Sequence, residues 1–185
     1  MLSAVAVVAV VLGAVALLML AELQLSLGHE RMLRADGASE PPDDVYPLMR
    51  LAYPGAFAAM AIEPLARGTV ARDWLLLGVV LLGCAKALKF WAIASLGRYW
   101  SFRVLVIPGA PLVRTGPYRY VRHPNYVALI AEFVAVAIAL QAPGAGALAV
   151  VGFGILLRRR IAVEERALGL RAPAAQRGPG LPPGR

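Results

Sequence analysis

The chain has 185 residues, 59% of them hydrophobic, and a formal net charge of +8. With a mean hydropathy of +0.67, it carries more apolar surface than a soluble domain of this length can hide, so composition points to a membrane protein, and the length leaves no room for a second large soluble domain. Most arginines flank apolar runs, so orientation in the membrane and anionic headgroups account for the basic balance, and nucleic acid is not an expected partner.

In chain order, the run Leu2–Leu20 lacks the basic start of a signal peptide and is long enough to span a bilayer, so it is expected as a retained transmembrane helix. The stretch 21–47 reads as an interfacial loop in which His29 is a solvated polar residue. A second apolar segment, Leu48–Leu65, is broken near its start by Pro54 and Gly55. The third, Trp74–Leu96, contains Cys84, expected as a small buried core residue. Lys86 and Lys89 share a face of this helix and are expected either to snorkel to the headgroups or to line a polar cavity between helices. Segments 125–140 and 145–157 are joined by a turn with Pro143, Gly144 and Gly146, which makes a tight helical hairpin. The second helix of the hairpin is expected to continue into Arg158–Leu168. Glu132 lies inside the hairpin's first helix, where a carboxylate in lipid needs an ion-pair partner or a pocket. The fold class is therefore an all-α membrane protein with about five transmembrane helices. Residues 1–168 form one integral membrane domain. Residues 169–185 form a Gly/Pro-rich tail that is expected to be mobile.

Positive residues set the expected orientation. Arg31 and Arg34, then Arg98 through Arg122, then the C-terminal arginines fall on one side, against Arg67 and Arg72 on the other. The positive-inside rule predicts the C-terminus in the cytoplasm and the N-terminus outside.

Two polar clusters share the cytoplasmic side. The first is TGPYRYVRHPNY, Thr115–Tyr126. Gly116-Pro117 makes a turn, and Pro124 suits the first turn of a helix because its missing N–H costs nothing there. Asn125 and Tyr126 then sit at a helix N-terminus, where backbone N–H groups and the helix dipole favour an anion. The second cluster is RRRIAVEERAL, Arg158–Leu168, in which Arg160 and Glu164 are placed to pair on one helix face. The short hairpin brings both clusters together as a cradle for a ligand with both signs of charge. Two histidines without paired-ligand spacing argue against a metal site.

Arg122-His123-Pro124 with Tyr126, a helical hairpin, then Arg160 with Glu164 and Glu165, resembles the isoprenylcysteine carboxyl methyltransferase family of integral membrane enzymes. The resemblance covers about 96–168. The stretches LGHERMLRADGASEPPDDVYPLM and LGRYWSFRVLVIPGAPLVRTGPYR look closest to a bacterial branch linked to O-methylation of alkylpyrone or alkylresorcinol lipids. The resemblance implies S-adenosylmethionine as methyl donor, bound from the cytoplasm, and a lipophilic acceptor arriving from the bilayer. It implies that Arg122, His123, Pro124, Asn125 and Tyr126 line the cofactor site and that Glu164 and Glu165 hold the cofactor's amino end or ribose. Arg160 would orient the acceptor oxygen or brace Glu164. The faces of Tyr118 and Tyr126 suit a sulfonium, and His123 or Glu164 could serve as base for a phenolic acceptor. Relatives often have glycine where this chain has Ala128. Sterol-type reductases, which use a nicotinamide cofactor, share a similar His-Pro-x-Tyr motif, and a non-catalytic lipid-binding subunit is the third reading.

Overall fold

The computed structural model describes residues 1–170, so the expectation about the tail from 171 onward lies outside the described residues. The α-helices are α1 (Ala4–Ala35), α2 (Tyr46–Ala59), α3 (Ile62–Arg67), α4 (Arg72–Leu96), α5 (Pro124–Leu140) and α6 (Pro143–Ala167). Among the described residues α1 and α4 are long and apolar enough to cross a membrane, and α5 is a shorter apolar helix. One detail departs from an all-α chain. Leu2–Ser3 (β1) pairs antiparallel with Thr69–Val70 (β2), Leu2 opposite Val70 and Ser3 opposite Thr69. This ladder ties the N-terminus to the α3–α4 connection.

Helix α1 corrects the expected loop after Leu20. It runs 32 residues, about 48 Å at the rise of an α-helix. Its second half stays helical because Glu22, Ser26 and Glu30, one turn apart on one face, are all buried with tertiary partners. His29 is therefore helical, and its Nδ1 lies 2.8 Å from the Trp100 carbonyl, which corrects its reading as a solvated loop residue. The second apolar segment breaks later than expected. Pro54 sits inside α2, whereas the helix is interrupted at Met60–Ala61. Pro64 explains the position: it lacks the N–H that would bond the Met60 carbonyl, and its ring crowds that carbonyl.

The core joins α1, α2, α5 and α6. Val7, Val11 and Val15 of α1 meet Phe57, Phe133, Val136, Leu140 and Phe153. Residues 129, 133, 136 and 140 give α5 the apolar stripe of a core-facing helix. Tyr53, Phe57, Phe133 and Phe153 pack edge-on or tilted, with ring centroids 4.9–5.7 Å apart. Cys84, expected in the core, is exposed on a helix that keeps about a third of its most apolar window buried.

The chain reverses between α5 and α6 at Gln141–Ala142, with Gln141 in the left-handed region at φ 52°. Pro143 and the two following glycines, expected in the turn, instead open α6, where proline fits the first helical position. Both helix ends at the hairpin are compensated. Arg67 donates to the carbonyls of Leu140 and Gln141 at 3.1 and 2.6 Å, and Glu63 accepts the Ala145 N–H at 2.7 Å. Each charge opposes the local end of a helix dipole.

Helices α4 and α5 approach closely at Gly78, where a Cβ would overlap the backbone nitrogen of Ala139. Gly78→Ala is accordingly expected to force the helices apart and cost about 1–3 kcal/mol, as overpacking does. Thermal unfolding in detergent checks this, with Gly83→Ala as control, because a Cβ at Gly83 meets nothing within 4 Å.

A second feature holds α1 against α4 and α5. Lys86 Nζ lies 2.8 Å from Glu22 and 3.1 Å from Glu132, and Lys89 Nζ lies 2.7 Å from Glu22 and 3.3 Å from Glu132. All four side chains are at most 6% exposed, and the Tyr53 hydroxyl donates to Glu132. The lysines therefore do not snorkel, and Glu132 is an ion-pair residue. Two carboxylates against two ammonium groups leave the cluster neutral, the condition under which charges survive burial.

Candidate functional site

The site forms where the start of α5, the end of α6, the end of α4 and the segment 97–123 converge. Gly116 begins a short 3-10 turn, Gly116–Arg119, with φ +57°, and a Cβ there would collide with Ser95 of α4. Glycine thus lets the turn lie flat on α4 and swing Tyr118 inward. Helix α5 starts at Pro124 with His123 as its N-cap residue, as expected. The His123 and Tyr126 rings stack, 5.5 Å apart and 17° from parallel.

The two clusters do meet. Tyr126 donates its hydroxyl proton to Glu164 at 2.7 Å, and Arg160 Nε donates to the same hydroxyl oxygen at 3.0 Å. Arg160 therefore reaches Glu164 through Tyr126, not by the direct pairing expected from their spacing. Its other nitrogens donate to Asp44 at 2.8 Å and to the Phe102 carbonyl. His123 lies 3.8 Å from Glu164 and 3.6 Å from Glu165. Arg122 is 83% exposed and 3.9 Å from Glu165.

These groups wall a cavity of about 630 Å³, within the range of small-molecule sites. Tyr118, Arg122, His123, Asn125, Tyr126, Arg160 and Glu164 line it. Pro124 and Glu165 stand behind the wall, the proline buried at the helix start and the carboxylate facing His123 and Arg122. Arg103, Arg114 and Arg119 also line the cavity, as do Leu96, Leu105, Ile107 and Leu112. Among the described residues that line the cavity, Glu164 is thus a single carboxylate among arginines, beside an apolar wall. Burial, with the nearby Glu164 charge adding to it, pushes the Tyr118 phenol well above its ordinary value, so it stays a neutral donor.

Trp100, Arg103 and Asp44 join the site from positions that the two sequence clusters do not include. Trp100 is 2% exposed, and among the described residues its indole N–H has no hydrogen-bond partner, as is true of Asn125 Oδ1. Arg103 is gripped by Glu40 at 2.6 Å and lies over the Tyr46 ring. Burial alone would raise the Glu40 carboxyl, but hydrogen bonds from Arg103 and Arg34 outweigh it and hold the carboxyl below its ordinary value. The alternation of arginine and aromatic residues in RYWSFR was the available signal for the first two.

The family model of the isoprenylcysteine carboxyl methyltransferase (ICMT) family matches residues 76–169, which takes in most of α4, most of the cavity wall and the hairpin. The chain is 30% identical over 148 residues to the uncharacterized protein YpbQ of Bacillus subtilis, covering 80% of this chain and 88% of that one. It is 27% identical over 147 residues to an uncharacterized protein of Haemophilus influenzae, covering 79% and 86%. No solved structure matches. A membrane-suited helical chain that sets the two halves of the motif around one cavity, and that the family model matches over half its length, belongs to the isoprenylcysteine carboxyl methyltransferase family of membrane methyltransferases.

Proposed function

We propose that the cavity binds S-adenosylmethionine and that the protein moves its methyl group to an oxygen of a lipophilic acceptor. The observation that carries this reading is Glu164, one carboxylate fixed by Tyr126 in an arginine-lined cavity. The cofactor's amino-acid end has both charges, and Glu164 suits its ammonium as the arginines suit its carboxylate. Trp100 Nε1 and Asn125 Oδ1, buried without a hydrogen-bond partner among the described residues, suit the polar edge of a nucleoside, since buried polar groups call for a partner.

When bound, the cofactor supplies an electrophilic methyl group on a sulfonium. The chain's own work is alignment and exclusion of water, which a charge-neutralising displacement needs more than strong acid–base help. Arg160 holds Tyr126, Tyr126 holds Glu164, and His123 stacks on Tyr126. With three partners already on its guanidinium, Arg160 braces Glu164 rather than orienting the acceptor. The apolar wall from Leu96 to Leu112 suits an alkyl chain. The surrounding arginines favour an acceptor oxygen that arrives ionised, and His123 stands ready as base for a phenol. The acceptor we favour is an alkylpyrone or alkylresorcinol hydroxyl, ahead of a prenylcysteine-like carboxylate. The acceptor comes from the bilayer and the cofactor from the cytoplasm, with the N-terminus outside.

Incubation of purified protein with methyl-labelled S-adenosylmethionine and each acceptor class tests the assignment. Label should enter the alkylpyrone or alkylresorcinol fraction as an alkali-stable ether. Label only in the prenylcysteine fraction, as an alkali-labile ester, would reverse the preference.

A further inference from the structure

We infer that Asp44, in the connector between α1 and α2, is a positioning residue of the cavity that keeps Glu164 available to a ligand. It lies outside the stretch that the family model matches. This inference rests on the S-adenosylmethionine reading above and adds a residue to it.

The Asp44 side chain is 4% exposed and accepts hydrogen bonds in three directions. Oδ1 takes Arg160 at 2.8 Å and the Tyr46 N–H at 3.1 Å, and Oδ2 takes the Val104 N–H at 3.1 Å. Val104 belongs to the cavity wall, and its neighbours are pinned in the same way. Phe102 N donates to Ser26 at 2.8 Å, and Ser39 and Val106 form an isolated antiparallel bridge. One carboxylate therefore joins the wall, the start of α2 and the Arg160–Tyr126–Glu164 chain.

The electrostatics give Asp44 a role beyond packing. Arg160 is 4% exposed, and a buried guanidinium needs a counter-charge. Among the described residues Asp44 is the one carboxylate within 4 Å of it. Glu164 stands one hydroxyl away, through Tyr126. Without the Asp44 charge, Arg160 turns to Glu164 and occupies the carboxylate that the ligand's ammonium requires. Asparagine at this position keeps the shape but removes the charge, and its amide N–H₂ meets a donor on one side.

The experiment measures binding of S-adenosylmethionine and of 5′-methylthioadenosine, which has the nucleoside but no ammonium, to wild type, Asp44→Asn, Asp44→Glu and Asp43→Asn. Amide exchange over 101–106 is followed without ligand. Asp44→Asn should weaken S-adenosylmethionine tenfold or more, leave methylthioadenosine unchanged and speed exchange at Val104. Asp44→Glu should fall between, and Asp43→Asn, an exposed neighbour paired with Arg166, should match wild type. Equal weakening of both ligands, or of neither, overturns the role assigned to Asp44. If folded wild type binds no S-adenosylmethionine, the proposed function fails, and exchange at Val104 alone decides whether Asp44 is a clamp: unchanged exchange in Asp44→Asn overturns it. Should neither Asp44 variant fold, S-adenosylmethionine added to wild type must slow exchange over 101–106, and unaltered exchange there overturns the inference.

Discussion

Glu132→Ala is expected to cause a large loss of stability. Each lysine of the buried quartet faces both glutamates, at 2.7–3.3 Å. Removing Glu132 leaves two ammonium groups against one carboxylate and strips Tyr53 of its acceptor. Breaking a buried ion pair by deleting one partner costs about 3–5 kcal/mol, mostly the penalty of the charge left behind. The unfolding midpoint in detergent should fall by many degrees. The paired change Glu132→Leu with Lys89→Met keeps the cluster neutral and should recover much of the loss, because a well-packed apolar pair replaces a buried ionic one at little cost. A Glu132→Ala protein as stable as wild type would show that the quartet does not hold α1 in place.

The second large effect is on binding. Glu164→Gln keeps the size of the side chain and an oxygen for the Tyr126 hydroxyl, but removes the only acidic side chain among the described residues of a cavity wall that includes five arginines. A hydrogen bond to a charged group contributes about 1.5–3 kcal/mol, so affinity for S-adenosylmethionine should fall roughly tenfold to a hundredfold. The unfolding midpoint should barely move, because the Glu164 side chain is 29% exposed. Tyr126→Phe should give a smaller loss by releasing Glu164 from its anchor. Unchanged affinity in Glu164→Gln would remove Glu164 from the ligand site.

What the sequence made legible follows from how local each signal is. The start of α5 at Pro124 depends on proline's missing N–H, and the continuation of α6 into Arg158–Ala167 on its helical spacing, so both could be read. The meeting of His123, Tyr126 and Glu164 followed from a reversal too short to separate the two clusters. The second half of α1 was not legible. Glu22, Ser26 and Glu30 look like a loop until their partners on α4 and in the segment 100–106 are known. The same holds for Lys86 and Lys89, whose snorkelling was the natural local expectation. The break falls at Met60 and not at Pro54 because Pro64 acts on the carbonyl four residues before it, whereas Pro54 is held inside α2. Asp44 carried no local sign at all, since its role is set by residues 60 and 116 positions away.

Methyl-donor binding is tested most directly by calorimetric titration of the detergent-purified, folded protein with S-adenosylmethionine and, in parallel, with a reduced nicotinamide dinucleotide phosphate. S-adenosylmethionine is expected to bind saturably, more weakly in Glu164→Gln, and the nicotinamide is expected not to bind. Binding of the nicotinamide alone would contradict this expectation and move the cavity to reductive chemistry, and binding of neither would leave a membrane protein that does not use this cavity for methyl transfer.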